Sequence, residues 1–212
     1  MNLLTTPAEE PHATLVLAHG AGAPMDSPFM EAISAALAAE GVTVIRFEFA
    51  YMAARRTGAR KPPPRADRLM SEFIDALEGI NTTGPLFIGG KSMGGRVASL
   101  VAKDLFRSGR IAGLVCLGYP FHPPGKPDSL RTAHLEALTV PALICQGTRD
   151  PFGTRDEVAG YGLSKTIRFH WLEDGDHDFK PRKKSGLTQA EHIGAAARAI
   201  AHWMKTLASP PS

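Results

Sequence analysis

Two cysteines in 212 residues exclude a disulfide-stapled scaffold, and no group of cysteines and histidines has the spacing of a metal site. Cys116 and Cys145 fall in apolar runs that read as buried strands, so free thiols in a reducing compartment, filling core space, are expected. Neither a metal nor a cofactor is expected. No apolar run approaches the roughly 18 residues needed to span a bilayer, which predicts no membrane association. The first ten residues lack the basic start and apolar stretch of a signal peptide, and a cytoplasmic protein is expected. Low-complexity tracts and internal repeats are missing. So are zinc-finger, RNP and helix-turn-helix patterns, and nothing favours nucleic acid. What is there is an ordinary globular composition, 43% hydrophobic and 21% charged. The length suits a single domain over residues 1–212 that can bury a full sheet core.

Apolar runs of strand length alternate with segments of helical period throughout, the pattern of a parallel sheet covered on both faces. Six strands are predicted, at residues 14–18, 42–47, 85–88, 111–117, 142–145 and 166–172. The fold class is therefore α/β, a three-layer α/β/α sandwich around a mostly parallel six-stranded sheet. Ser27-Pro28 opens the first helix, with serine as cap and proline at the first helical position, and Gly41 follows its end. A second helix places Leu69, Phe73, Ala76, Leu77 and Ile80 on one face. A third carries Val97, Leu100, Val101 and Leu105, and the last carries Ile193, Ala197, Ile200, Met204 and Leu207.

The chemistry is concentrated where strands end. Pro85-Leu86-Phe87-Ile88 runs into Gly89-Gly90-Lys91-Ser92-Met93-Gly94-Gly95-Arg96, which holds a Gly-x-Ser-x-Gly motif between a strand and a helix. In that context the serine occupies a sharp, strained turn whose neighbours two places away must be small, as Gly90 and Gly94 are. A serine hydroxyl needs a base, and the base needs an orienting group. Asp150, in Gln146-Gly147-Thr148-Arg149-Asp150-Pro151 after the fifth strand, is the candidate acid, with Asp156 and Asp174 as alternatives. His177, in the Gly/Asp-rich loop after the last strand, is the candidate base among eight histidines. His170, His192 and His202 lie inside a strand and the last helix. The backbone N–H of Met93 and one from His19-Gly20-Ala21-Gly22, Ala21 first and Gly22 second, are the candidate oxyanion donors. His19 is read as shaping that turn. Tyr119 and Phe121, in Gly118-Tyr119-Pro120-Phe121, are either an aromatic wall for substrate or loop packing. No segment after Leu117 is long enough for a helical cap, which leaves the site open.

These motifs together resemble those of the α/β-hydrolase superfamily across nearly the whole chain. His19-Gly20-Ala21-Gly22, the elbow from Gly90 to Arg96, Gly118-Tyr119-Pro120-Phe121 and Gln146 to Asp150 carry a closer likeness. They are similar to small, largely uncharacterised hydrolases related to the dienelactone hydrolases, a group that includes a testis-expressed hydrolase-like protein and a chromatin-complex subunit. The resemblance implies a minimal α/β-hydrolase fold without a cap domain, with Ser92 as nucleophile, Asp150 as acid and His177 as base. It departs from the standard fold at the start, where the first two antiparallel strands are missing from the pattern.

Two readings of function follow. One is a serine hydrolase cleaving a small ester or related acyl substrate; the other is a binding module that keeps the fold without turnover. A nucleotide-binding loop at Gly90-Lys91-Ser92 fails, because Pro85 stands where such a loop needs glycine. The net charge of +3 is local. Arg55, Arg56, Arg60, Lys61, Arg65 and Arg68 crowd one segment, and Lys180, Arg182, Lys183 and Lys184 another. These are either solvated loops or an attraction for an anionic substrate. Lys91 is expected to project beside the site, favouring such a substrate or merely solvated. The bond cleaved and the oligomeric state stay open.

Overall fold

The computed structural model describes residues 2–58 and 61–208. Arg60 of the basic segment lies outside the described residues. The strands are β1 (Leu3–Thr6), β2 (Ala13–Ala18), β3 (Val42–Phe47), β4 (Leu86–Lys91), β5 (Gly113–Leu117), β6 (Ala142–Gly147) and β7 (Ile167–Leu172). The helices are α1 (Pro28–Ala39), α2 (Ala50–Arg55), α3 (Met70–Leu77), α4 (Met93–Arg107), α5 (Ala133–Glu136), α6 (Arg155–Ala159) and α7 (Gln189–Ala208). Short 3-10 turns precede α3 and α7.

The sheet order is β1-β3-β2-β4-β5-β6-β7, all parallel except β1, which runs antiparallel to β3 with Leu3 opposite Phe47. The sheet thus has seven strands where six were expected, and one antiparallel strand is present at the start. Leu3-Leu4-Thr5-Thr6 escapes sequence reading because it is an edge strand with half its residues exposed, too short for a period to show. Two cores flank the sheet. On one face α1 and α7 close over Leu15, Leu17, Phe87, Val115 and Leu143; on the other α3 and α4 cover Val16, Ile88, Leu114 and Ile144. The strands β2, β4, β5 and β6 are buried on both faces, which is why they read as continuous apolar runs without alternation. Cys116 and Cys145 are buried free thiols whose pKa burial raises, so they act as core residues. Ser27 has the extended backbone of a cap residue, but its side chain makes no capping hydrogen bond; proline at the next position sets the helix start. The segment between β5 and β6 holds only the four-residue α5, and no cap domain covers the sheet among the described residues.

This order sets the functional edge. The chain leaves β2 toward β3 on one side, then returns for β4 on the other, so the loops after β2 and β4 diverge and open a crevice at the carboxyl ends of the strands. Five loops meet there, after β2, β4, β5, β6 and β7. No helix among the described residues is long and apolar enough to cross a membrane.

Arg46 fastens the edge. It is 2% exposed, and its guanidinium donates to the Met25 carbonyl (2.9 Å), Glu31 (2.7 Å) and the Thr6 hydroxyl (3.0 Å), joining β1, β3 and α1. Replacing Arg46 with alanine leaves three acceptors without this donor and opens a void. We expect a loss of about 2–3 kcal/mol, read as a lower urea midpoint at unchanged slope. Glu31→Gln should cost under about 1 kcal/mol, because the Glu31 carboxylate is half in water.

Candidate active site

Ser92 sits between β4 and α4 with φ 52° and ψ −116°, a conformation L-residues avoid. Close backbone approach holds it there. A Cβ on Gly90 would lie 2.3 Å from the Gly94 carbonyl carbon, and one on Gly94 would lie 2.5 Å from the carbonyl oxygens of Ala18 and His19. Glycine is thus needed for the passage of strand, turn and helix past one another. The Ser92 N–H donates to the Leu117 carbonyl (2.9 Å), pinning the turn to β5.

The three expected side chains come together. His177 Nε2 is 2.8 Å from Ser92 Oγ, and His177 Nδ1 is 2.8 Å from Asp150 Oδ2. Asp150 is fully buried and accepts two further hydrogen bonds, from Gln146 Nε2 (2.9 Å) and the Phe152 N–H (2.9 Å). A carboxylate so surrounded can only accept, which assigns the proton of His177 to Nδ1 and leaves Nε2 to take the Ser92 hydroxyl proton. The alternatives for the acid are engaged elsewhere or exposed. Asp174 pairs with Arg182 and Arg149, and the Arg182 hydrogen bond holds its carboxyl down to about 2. Asp156 is exposed on α6.

The loop after β2 lies against the elbow, with Gly20 so close that a Cβ there would sit 3.7 Å from Ser92 Cβ. Two side chains orient its peptides. His19 is buried, its Nδ1 donates to the Gly20 carbonyl (2.7 Å), and its Nε2 accepts from the Phe49 N–H (3.2 Å). Burial pushes the His19 pKa down, which keeps the ring neutral in this role. The Tyr51 hydroxyl donates to the Ala21 carbonyl (3.1 Å), and burial raises its pKa to about 12, so it stays a donor. Because a trans peptide points its N–H opposite its C=O, fixing the Gly20 and Ala21 carbonyls also fixes the N–H groups of Ala21 and Gly22. Met93 opens α4, where the first N–H groups have no intrahelical partner.

Lys91 lies beside the site, as expected, but not as a solvated side chain. It is 6% exposed rather than solvated; its Nζ donates to the His177 carbonyl (2.8 Å), pairs with Asp178 (3.2 Å), and lies over the Phe29 ring. Burial lowers its pKa, and Asp178 opposes that shift. Its charge is already matched, and it ties the histidine loop to β4. Tyr119 and Phe121 do not form a wall. Both are fully buried, their rings tilted against each other at 57° with centroids 4.8 Å apart, and the Tyr119 hydroxyl donates to the Arg131 carbonyl (3.0 Å). Gly118, at φ 64°, turns the chain inward immediately after β5, and that turn sends both rings into the core.

The cleft beside Ser92 has a volume of about 320 Å³, with Ala23, Phe29, Met30 and Phe152 as apolar lining. Phe152, tilted against the His177 ring at 4.2 Å, was not singled out in the sequence; it follows Asp150-Pro151 in a loop with no period to mark it. Gln146 was quoted only as part of a motif, yet it accepts from the Tyr119 N–H (2.7 Å) and donates to Asp150, coupling the β5 and β6 loops. The basic segment is largely matched locally: Arg56 pairs with Glu48 and Asp26, Arg65 with Asp67, and Arg55 donates to the Lys61 carbonyl.

Residues 11–205 match the alpha/beta hydrolase domain family. Solved structures share the fold. A dienelactone hydrolase from Anabaena variabilis is 19% identical, covers 96% of this chain and 90% of its own, and gives a TM-score of 0.71. An alpha-beta serine hydrolase homologue from Coxiella burnetii is 18% identical, with coverages of 93% and 90% and a TM-score of 0.68. A serine hydrolase without lid from Xanthomonas campestris is 19% identical, with coverages of 99% and 90% and a TM-score of 0.66. At these identities the likeness is one of fold.

The Lys91 clamp has a direct test. Lys91→Met removes a charged hydrogen bond worth about 1.5–3 kcal/mol to the loop, so amide hydrogen exchange across residues 174–180 should speed up about 10–100-fold while the sheet stays protected. Unchanged exchange in that loop would show that Lys91 does not hold it.

Proposed function

This chain belongs to the alpha/beta hydrolase family, and we propose that it is a serine hydrolase cleaving small ester or related acyl substrates through an acyl-enzyme. The observation that carries the proposal is the continuous chain from Ser92 Oγ to His177 to Asp150, with both links at 2.8 Å. In this reading His177 takes the Ser92 proton as Oγ attacks the carbonyl carbon. Asp150 holds the imidazole in the required tautomer and stabilises the cation it becomes. The N–H groups of Met93 and Ala21, with Gly22 as the second choice in that loop, receive the charge developing on the carbonyl oxygen. His177 then protonates the leaving group, and water activated by the same ring releases the acyl group. All of these groups are preset in the unliganded protein, so little reorganisation is needed at the moment of reaction.

The cleft favours a short acyl group. Its volume of about 320 Å³ and its lining by Phe29, Met30 and Phe152 suit a compact apolar chain, and Lys91 adds no unmatched charge. Catalysis would need neither metal nor cofactor.

A fluorophosphonate probe, which labels only activated serines, tests the central claim. Wild-type protein should label, and Ser92→Ala and His177→Ala should not. Hydrolysis of a p-nitrophenyl ester should fall by about 10³–10⁶-fold in either variant, and by about 10⁴-fold in Asp150→Asn. A folded wild type that neither labels nor turns over any ester would leave the chain a binding module.

Chain length gives a second measurement. Acetyl and butyryl esters should be cleaved with kcat/KM at least about tenfold above decanoyl esters, since each methylene beyond the cleft gains no burial. A preference rising with length would contradict the assignment of this cleft to the acyl group.

A further inference from the structure

Arg56 ends α2 in the basic segment after β3, and its pairs do more than balance charge: they reach the loop after β2. Residues 20–26 of that loop have little support of their own. Their backbone-to-backbone bonding is confined to the loop, from the Ser27 N–H to the Pro24 carbonyl (3.1 Å), among the described residues. Gly22 and Ala23 are exposed, and a Cβ on Gly22 would meet nothing within 4 Å, so packing does not fix this stretch.

Side chains from the corner between β3 and α2 hold it instead. At the near end the Tyr51 hydroxyl donates to the Ala21 carbonyl (3.1 Å), and the Phe49 N–H reaches His19. At the far end Arg46 donates to the Met25 carbonyl (2.9 Å), and Glu48 Oε1 accepts from the Met25 N–H (3.3 Å). Arg56 sets the direction of Glu48. Its Nε and Nη2 donate to the two carboxylate oxygens at 2.8 and 2.7 Å, and a planar fork on two oxygens allows one orientation. The same Nη2 donates to Asp26 Oδ1 (2.8 Å). The Glu48 side chain is 6% exposed and that of Asp26 43%, so salt and water screen the outer pair far more than the inner one. Without Arg56, Glu48 would be a buried charge lacking its cation, and it would turn toward water and release Met25.

We infer that Arg56 is a positioning residue: through Glu48 and Asp26 it fixes the far end of the loop after β2, and with it the Ala21 and Gly22 N–H groups beside Ser92. This role rests on the hydrolase reading, in which those groups receive the charge on the carbonyl oxygen. Arg56 does not line the cleft, so it acts on substrate only through the loop. That charge develops in the transition state and is absent from the bound ester, so loosening the donors lowers kcat and leaves KM nearly unchanged. Losing a donor outright costs about 10²–10³-fold, and a loop that keeps Tyr51 and Arg46 loses less, about tenfold.

Steady-state kinetics on p-nitrophenyl acetate and backbone amide relaxation by NMR are compared in wild type, Arg56→Gln, Arg56→Lys and Arg65→Gln. Arg65 is exposed in the same segment and pairs with Asp67, so its loss removes equal charge without touching the loop. In Arg56→Gln kcat should fall about tenfold with KM within about twofold. Order parameters of residues 20–26 should drop from about 0.85 to below about 0.6, while the sheet keeps its values and shows the variant folded. Arg56→Lys keeps the charge but loses the fork, so it should restore part of both, and it carries the comparison if Arg56→Gln does not fold. Arg65→Gln should match wild type. Unchanged order parameters in Arg56→Gln overturn the clamp, whether or not any ester is cleaved. A loosened loop with unchanged kcat overturns the positioning role. A raised KM shared by Arg56→Gln and Arg65→Gln also overturns it, since charge alone would then act on the substrate. A loosened loop in a protein whose wild type cleaves no ester keeps the clamp and removes the hydrolase reading.

Discussion

The strained backbone at Ser92 is the constraint on which the rest of the arrangement depends. A residue at φ 52° and ψ −116° does not hold itself there. It persists because β4 lies in the middle of the sheet, because its N–H is taken by the Leu117 carbonyl, and because α4 starts almost in contact with the strand it leaves. Gly90, Gly94 and Gly95 are the condition for that contact; a Cβ on any of them would come within 2.7 Å of backbone. The strain projects the hydroxyl out of the sheet edge while leaving the first N–H groups of α4 unpaired beside it. In the proposed reaction, one local geometry thus presents the nucleophile and one of the donors for the charge it would create.

The partner loops need a different kind of support, since neither is part of a regular element. The segment after β7 contains two non-glycine residues at positive φ, Asp174 and Phe179, one on each side of His177. Asp176 accepts from the N–H groups of Asp178 and Lys180, and Lys91 holds the His177 carbonyl. On the other side Gln146 fixes the Asp150 carboxylate, and Gly147 passes so close to Gly175 and Asp176 that a Cβ would overlap their carbonyls. The imidazole is therefore placed by hydrogen bonds at both ends of its ring and by its own backbone. A loop held only by packing would not keep two 2.8 Å contacts at once.

Much of this was legible in the sequence because it follows from period and punctuation. The six parallel strands are strand-length runs, four of them buried throughout, and Ser92, Asp150 and His177 each sit just past one of the six, in glycine-rich or turn-forming segments. What was not legible depends on distance in space. The four residues of β1 carry no pattern of their own and exist through pairing with β3. Tyr119 and Phe121 look like a loop surface, but the positive φ of Gly118 turns them into the core. Lys91 has the composition of a surface residue. Its burial is set by an aspartate and a carbonyl more than eighty residues later, a separation no local reading spans.

The absence of a cap makes preorganisation more important. Enzymes that close a lid can assemble their polar groups as water leaves. Here the segment after β5 is too short to cover the site, so the arrangement must stand complete in the open state. The structure is built that way. Asp150 has no exposed surface and three donors, His19 and Tyr51 fix the loop after β2 from behind, and Lys91 is neutralised by Asp178. Each buried polar group in the immediate site is satisfied from within the protein. An open cleft that gains no specificity from closure has to gain it from fixed contacts at its ends. The compact apolar recess of Phe29, Met30 and Phe152 beside Ser92 supplies such contacts without any moving part.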